Sequence, residues 1–241
     1  MRDKHVYDRC VSAPTFTAPA KIVDVLAGEC EAAATAMARV AEADYARPTR
    51  CPAWNVKALL AHVWRDVDRI LEYTPQPAPD AADSDAVAYY LTGYDPAADA
   101  ADVAARAIEI AARFGAGRDL LSDFDERWRR AVDVARATPP DRLIRTFGPA
   151  LRFDQYLCTR TLEAAIHGLE LADALGVAPW ITPAADDLVV AMLVAMLGED
   201  VRDRLGWDDV TFIDATTGRR RLDDDERSAL GPLAERLPVL S

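Results

Sequence analysis

The sequence has few histidines, few cysteines and no long hydrophobic run. Its longest uninterrupted apolar stretch covers residues 188–197, which is well short of the roughly 20 residues that span a bilayer. No transmembrane helix is therefore predicted. Residues 1–19 have no apolar centre and contain Pro14 and Pro19, so they do not support a secretory signal. We expect a cytoplasmic protein without membrane contacts.

The four cysteines, Cys10, Cys30, Cys51 and Cys158, are scattered, and no two of them form a CxxC pair. This pattern argues against a disulfide framework or a clustered zinc knuckle. We predict reduced thiols. Neither Cys51 nor Cys158 has a histidine at a useful spacing, and a buried cysteine usually behaves as a small apolar residue. The sequence therefore does not favour a cysteine nucleophile.

Positive charge is also in short supply, because 28 basic residues face 40 acidic ones and the net charge is −12. Such a field repels polyanions, so nucleic acid is not expected as a partner. The hydrophobic fraction of 51% and the charged fraction of 28% are typical of globular proteins. A chain of 241 residues suffices for one large domain or a domain with an appendage. We expect small molecules as partners, and we expect the protein to be a monomer or a homodimer.

Helical periodicity dominates the first three quarters of the chain. The pattern predicts four main helices: residues 22–40, residues 56–73, one long kinked helix over residues 100–137 with a break near Gly115 and Gly117, and residues 153–175, which Gly176 closes. The Pro/Ala/Asp-rich stretch 75–99 is predicted to be irregular, with at most a short turn at 87–91. Residues 143–149 are predicted to form an extended link.

The pattern changes after Pro179. A helix is predicted for residues 183–197, followed by two short strands at residues 210–214 and 219–222 around Thr217-Gly218. The predicted fold is mainly α: an antiparallel four-helix bundle with a small C-terminal α/β subdomain. The predicted domains are an N-terminal extension (1–19), the helical bundle with a metal site (20–178) and the C-terminal subdomain (179–241).

Two polar residues of the last bundle helix point in the same direction. Glu163 and His167 are four residues apart, which puts both side chains on one helix face. Together with Glu170 they form a polar wedge between two apolar flanks, where unpaired charge is costly and needs a partner. A cation would supply one, and His62 is the candidate third ligand, leaving a fourth position open. Alternatively, Glu163 and His167 form a solvated pair and His62 is a partly exposed helix histidine.

Several other polar and aromatic residues allow two interpretations of their role. Asp66 follows His62 by one turn and either orients it or is an exposed acid. Glu170 is expected to support a neighbour or to be solvated rather than to bind the metal. Trp54 is expected to be a packing anchor rather than a substrate platform. The run of arginines at residues 219–221 either binds an anion or belongs to a charged turn.

Two segments resemble a known family. Residues 50–62 read RCPAWNVKALLAH and residues 160–172 read RTLEAAIHGLELA. The first contains a Pro-x-Trp helix start leading to Leu-x-x-His, and the second contains Arg-x-x-Glu-x-x-x-His. This pattern resembles the mycothiol-dependent maleylpyruvate isomerase family, which belongs to the DinB-like superfamily, over roughly residues 20 to 176.

The resemblance implies a DinB-like bundle that holds a divalent metal, usually zinc, through His62, Glu163 and His167. These three residues would act in catalysis through the metal, with mycothiol as the thiol cosubstrate at the open position. Glu170 stands where the family often has aspartate. The implied activity is thiol addition to an electrophilic small molecule, either as a cis–trans isomerase or as a thiol S-transferase. The alternative is a non-catalytic helical module that binds a small molecule or a metal.

Overall fold

The structure is a computed structural model that describes residues 16–92 and 96–240, without side chains for residues 92–99. Its elements are α1 (Ile22–Met37), α2 (Val56–Tyr73), α3 (Ala86–Thr92), α4 (Pro96–Ala112), α5 (Gly117–Ala137), β1 (Leu143–Arg145), β2 (Ala150–Arg152), α6 (Phe153–Leu175), α7 (Pro183–Leu197), α8 (Arg202–Leu205), α9 (Asp209–Thr216) and α10 (Asp224–Leu230). Two 3₁₀ segments cover Glu42–Ala46 and Gly231–Arg236. The predicted mainly α fold is confirmed.

Four long helices form the bundle. Helices α1 and α2 each pack against both α5 and α6, so α1 lies diagonally opposite α2. Helix α4 packs on α2, and α7 packs on α6 and α1. Among the described residues, every helix is too short or too polar to cross a membrane.

The two helices that carry the candidate ligands begin and end where the sequence predicts. The side chain of Asn55 accepts a hydrogen bond from the Ala58 amide at 2.9 Å and caps α2. Helix α6 ends at Gly176, which has a φ of 69°, a left-handed conformation that favours glycine. Helix α2 buries one face, whereas α6 is buried on nearly all sides. Most polar side chains of α6 therefore point into protein.

The prediction of one long kinked helix over residues 100–137 is wrong, because α4 and α5 are separate helices. The chain turns at residues 113–116, and α5 starts at Gly117 against the ring of Tyr45. A Cβ at Gly117 would lie 2.2 Å from Cγ of Tyr45, so only glycine permits this approach. The first helix is also shorter than predicted and ends at Met37 instead of Val40.

The stretch 75–99 is more regular than predicted. It contains α3, and α4 already begins at Pro96. The Asp85 carboxylate accepts hydrogen bonds from the amides of Val87 and Ala88 at 2.9 and 2.8 Å, which satisfies the free donors at the start of α3. Residues 143–149 are not a simple extended link, because β1 pairs with β2 in an antiparallel hairpin.

The two strands predicted after residue 209 are wrong. Residues 209–216 form α9, which Asp208 caps by accepting a hydrogen bond from the Thr211 amide at 2.8 Å. Near the end of α9, the Thr216 hydroxyl donates a hydrogen bond to the Phe212 carbonyl at 2.6 Å. In residues 176–240 the structure has helices and turns but no strand, so the α/β description of the C-terminal region is corrected to α. The domain limits remain predictions, and residues 1–15 lie outside the described part.

Candidate metal centre

The structure brings together the three side chains that the sequence predicts as ligands. Nε2 of His167 lies 3.2 Å from Oε2 of Glu163, and Nε2 of His62 lies 3.6 Å from the same oxygen. One ligand atom from each residue falls within 4.8 Å of the other two. Ligands about 2.1 Å from a tetrahedral zinc ion are about 3.4 Å apart. Two imidazole nitrogens and one carboxylate therefore fit a divalent cation in both spacing and donor type.

The ring of His62 is held between α2 and the loop before it. The indole of Trp54 stacks on it with the ring centroids 4.8 Å apart and the planes inclined by 28°. Nε1 of Trp54 donates a hydrogen bond to the carbonyl of Ala104 on α4 at 3.2 Å. The Pro-x-Trp start of α2 thus has a local role, because it fixes an imidazole and attaches α4 to the same corner of the bundle.

The ring of His167 is oriented by Glu170, one turn further along α6. Nδ1 of His167 lies 2.6 Å from Oε2 of Glu170, and Oε1 of Glu170 accepts hydrogen bonds from Nε of Arg219 at 2.9 Å and from Sγ of Cys51 at 3.3 Å. A carboxylate on Nδ1 keeps the proton there and turns Nε2 towards Glu163. Glu170 is therefore a support for His167, which is one of the two roles expected for it.

The electrostatics of this cluster favour positive charge at its centre. Burial alone lowers the pKa of His167, but the charge of Glu170 and hydrogen bonds to Glu163 and Glu170 outweigh it and raise that pKa to about 9. Burial alone raises the pKa of Glu170, yet His167 and Arg219 bring it down to about 2. The pKa of Glu163 is lowered well below its ordinary value, because hydrogen bonds from both histidines outweigh burial. Both carboxylates are thus ionised, and that of Glu163 faces the position that a cation would take.

A buried ion pair lies beside His62. Oδ2 of Asp66 is 3.3 Å from Nε2 of His62 and has no hydrogen-bond partner, whereas its Oδ1 is paired with the buried guanidinium of Arg160. Nη1 of Arg69 is 3.8 Å from the same Oδ1. Of the two readings for Asp66, the exposed acid is excluded, because the residue is only 3% exposed.

Sequence reasoning missed Tyr90, which lies on α3. Its hydroxyl donates a hydrogen bond to Oε1 of Glu163 at 2.8 Å. Burial and the nearby charge of Glu163 raise the pKa of this phenol well above 10. No signal in the stretch 75–99 marks this residue, because its partner is 73 positions away in the chain.

A small cavity of about 20 Å³ opens beside His62, enough for roughly one water molecule. It is lined by α2 and α4, with His62, Arg65, Asp66, Arg69, Val103, Arg106, Ala107 and Ile110 on its walls. A larger ligand that entered from this side would displace side chains of α4.

The cysteines and the arginines at residues 219–220, which the sequence offered as further candidates, have contacts that explain them without a catalytic role. Cys30, Cys51 and Cys158 are unpaired, and burial together with the charge of Glu170 raises the pKa of Cys51 to about 12, so its thiol is protonated at neutral pH. Arg219 is engaged by Glu170, and Arg220 bonds Glu226 at 2.5 Å. Both arginines therefore hold the C-terminal region in place, in keeping with a charged turn.

Comparisons with known proteins agree with this architecture. The model of the family described as mycothiol maleylpyruvate isomerase N-terminal domain matches residues 26–172. Two uncharacterized proteins of Mycobacterium tuberculosis, MT0041 of strain CDC 1551 and Rv0036c of strain H37Rv, are each 31% identical to this chain over 159 residues. The aligned part covers 66% of this chain and 56% of each relative. No solved structure matches significantly.

The matched span includes all three candidate ligands and most of the bundle. The chain therefore belongs to the mycothiol maleylpyruvate isomerase N-terminal domain family, as the resemblance in the sequence indicates. The expected DinB-like, mainly α fold agrees with this membership.

Proposed function

We propose that this protein is a metal-dependent enzyme that activates a low-molecular-weight thiol, mycothiol, for addition to an electrophilic small molecule. His62, Glu163 and His167 would bind the divalent cation, which we propose is zinc. The observation that carries the proposal is the convergence of these three donor atoms from α2 and α6 within 4.8 Å of one another. Membership of the mycothiol-related family supports the choice of thiol.

A divalent cation in this position would lower the pKa of a bound thiol, which is ordinarily near 8.5, so that the thiolate predominates at neutral pH. The chain's own residues prepare the position. Glu170 keeps the Nδ1 proton of His167, so that Nε2 faces the centre. Trp54 fixes the plane of the His62 ring. Helix α4 lines the small cavity beside His62 and Asp66.

The proposed reaction begins with attack of the thiolate sulfur on a carbon of a cis double bond that is conjugated to a carbonyl. A carbon–sulfur bond forms while the π electrons move onto the carbonyl oxygen as an enolate, and the former double bond can rotate. Expulsion of the thiolate then restores a double bond in the trans form, which is isomerisation. If the enolate is instead protonated at carbon, the thiol remains attached, which is S-transfer. Both outcomes share the first step.

The test uses the full-length protein. Its metal content is measured after purification, and it is then incubated with mycothiol and either maleylpyruvate or an alkylating electrophile, with products identified by mass spectrometry. We expect about one zinc per chain and a thiol-dependent product.

The variant His62→Ala should lose the metal and the thiol-dependent activity while keeping the helical circular dichroism of the wild type, because only one ligand is removed from a packed bundle. Glu72→Ala is the control on the same helix, because the Glu72 side chain is 43% exposed, and it should behave as wild type. A wild-type protein without bound metal, or a fully active His62→Ala variant, would contradict the proposal. Metal binding without any product would indicate the non-catalytic module instead.

A further inference from the structure

The carboxylate of Glu163 has two oxygens in different surroundings. Oε2 faces the two histidines, at 3.2 Å from Nε2 of His167 and 3.6 Å from Nε2 of His62. Oε1 points the other way and meets the hydroxyl of Tyr90 at 2.8 Å. A glutamate has three rotatable side-chain bonds, so a contact to Oε1 restricts the rotation of the carboxylate and helps to keep Oε2 facing the two histidines.

The hydroxyl of Tyr90 can supply that contact to one acceptor only. It lies 3.2 Å from the carbonyl oxygen of Thr159 as well as 2.8 Å from Oε1 of Glu163. A phenol has a single proton to donate, and a hydrogen bond to an ionised carboxylate is about twice as strong as one to a neutral acceptor. The proton is therefore directed to Glu163.

Helix α3 presents Tyr90 from a fixed position. The side-chain oxygen of Gln155 on α6 accepts a hydrogen bond from the Ala86 amide at 3.0 Å, in a buried contact. The Asp83 carboxylate accepts one from the Ala150 amide of β2 at 2.7 Å. The start of α3 is thus attached to the same helix that carries Glu163, so the separation of Tyr90 and Glu163 is set within one rigid assembly.

We propose that Tyr90 is a positioning residue of the candidate metal centre: it occupies Oε1 of Glu163 and so restricts this ligand to binding a cation through Oε2 alone. The inference rests on the proposed function, because it assumes that Glu163 binds a cation. It assigns a role to the stretch 75–99, whose sequence predicts none. A carboxylate that binds through one oxygen takes up one coordination position, which leaves room for a thiol.

The test compares Tyr90→Phe with the wild type in metal binding rather than in activity. Phenylalanine keeps the ring, whose centroid lies 5.0 Å from that of Tyr89, so circular dichroism should be unchanged. The affinity for zinc, measured by competition with a chromogenic chelator, should fall about 10- to 100-fold, as is usual when a residue that orients a ligand is lost. The visible spectrum of the cobalt-substituted protein should also change, because a released Glu163 can bind through both oxygens.

Tyr73→Phe is the control, because it removes a phenol hydroxyl from α2 at a position 11 residues, or about 16 Å, beyond His62. It should leave both the zinc affinity and the cobalt spectrum unchanged. The inference would be overturned if Tyr90→Phe bound zinc as tightly as Tyr73→Phe, or if its cobalt spectrum matched that of the wild type. Failure of the wild type to bind either metal would instead remove the proposed function, and the inference with it.

Discussion

Helices α2 and α6 both contribute candidate ligands, but Arg65 on α2 and Arg160 on α6 have opposite surroundings. On α2, Arg65 pairs with Asp68 at 2.8 Å and with Glu72 at 2.5 Å on a partly solvated face. On α6, Arg160 and Glu170 lie inside the protein and are 3% and 2% exposed. Water can replace a partner of Arg65, whereas Arg160 and Glu170 each depend on a counter-charge from another part of the chain. The α6 charges therefore have far more effect on folding and on ligand geometry.

The largest expected effect is the loss of the buried cation of α6. Arg160→Met leaves the Asp66 carboxylate buried without its main partner, so we expect the metal-free protein to lose about 3–5 kcal/mol of unfolding free energy. The matched change on α2, Arg65→Met, breaks partly exposed pairs and should cost at most about 1 kcal/mol. Urea denaturation in the presence of a chelator measures both. Equal losses of unfolding free energy in the two variants would contradict the idea that the buried ion pair contributes more to stability than the partly exposed one.

A smaller effect is expected for the residue that supports His167. Glu170→Gln keeps the size of the side chain but removes the charge that accepts the Nδ1 proton, so zinc affinity should fall about 10- to 100-fold. The matched control is Glu72→Gln on the solvated face of α2, which should not alter zinc affinity. Isothermal titration with zinc compares the two. An unchanged affinity in Glu170→Gln would show that the hydrogen bond at 2.6 Å does not orient the ligand.

The smallest effect concerns a carboxyl that faces like charge. Burial and the nearby charge of Asp209 raise the pKa of Asp186 to about 6, whereas the pKa of Glu170 is about 2. The folded state therefore holds the Asp186 proton up to a higher pH than the unfolded state does. Stability from this group is fully present below about pH 4 and is lost as the pH rises through 6.

Asp186→Asn should remove this pH dependence. The variant should match the wild type near pH 3.5 and unfold at a higher temperature than the wild type at pH 7, because asparagine carries no charge next to Asp209. Thermal unfolding at both pH values measures the difference. A variant that is less stable than the wild type at pH 7 would mean that the ionised carboxylate is favourable in the fold.

The bounds of several helices could be predicted because the residues that start and end a helix lie next to it in the sequence. Asn55 caps α2, Gly176 closes α6, and Thr182 followed by Pro183 starts α7, so the predicted bounds of these three helices agree with the structure. The convergence of His62 with Glu163 and His167 was indicated by the resemblance to the family, because spacing alone left a solvated pair and a partly exposed histidine open. Whether these residues bind a metal stays a prediction.

The parts that could not be predicted depend on contacts between distant segments. Val210 to Asp214 contain β-branched residues that suit a strand, but the cap at Asp208 makes them helical. The partner of Arg160 is 94 positions away, and that of Arg219 is 49 positions away. Periodicity describes one helix at a time, so it shows which face is polar but not which residue from elsewhere meets it.

The hydrogen bond between Arg219 and Glu170 affects where this chain can be truncated for expression. The span recognised by the family model ends at residue 172, so a gene trimmed to it would still encode His62, Glu163 and His167 but would omit the guanidinium that restrains Glu170. Glu170 would then keep only the weaker hydrogen bond from Cys51 on Oε1, and the orientation of the His167 ring would be less restrained. The three candidate ligands alone are therefore not sufficient for the candidate metal centre, because Arg219 in the C-terminal region helps to orient His167 through Glu170.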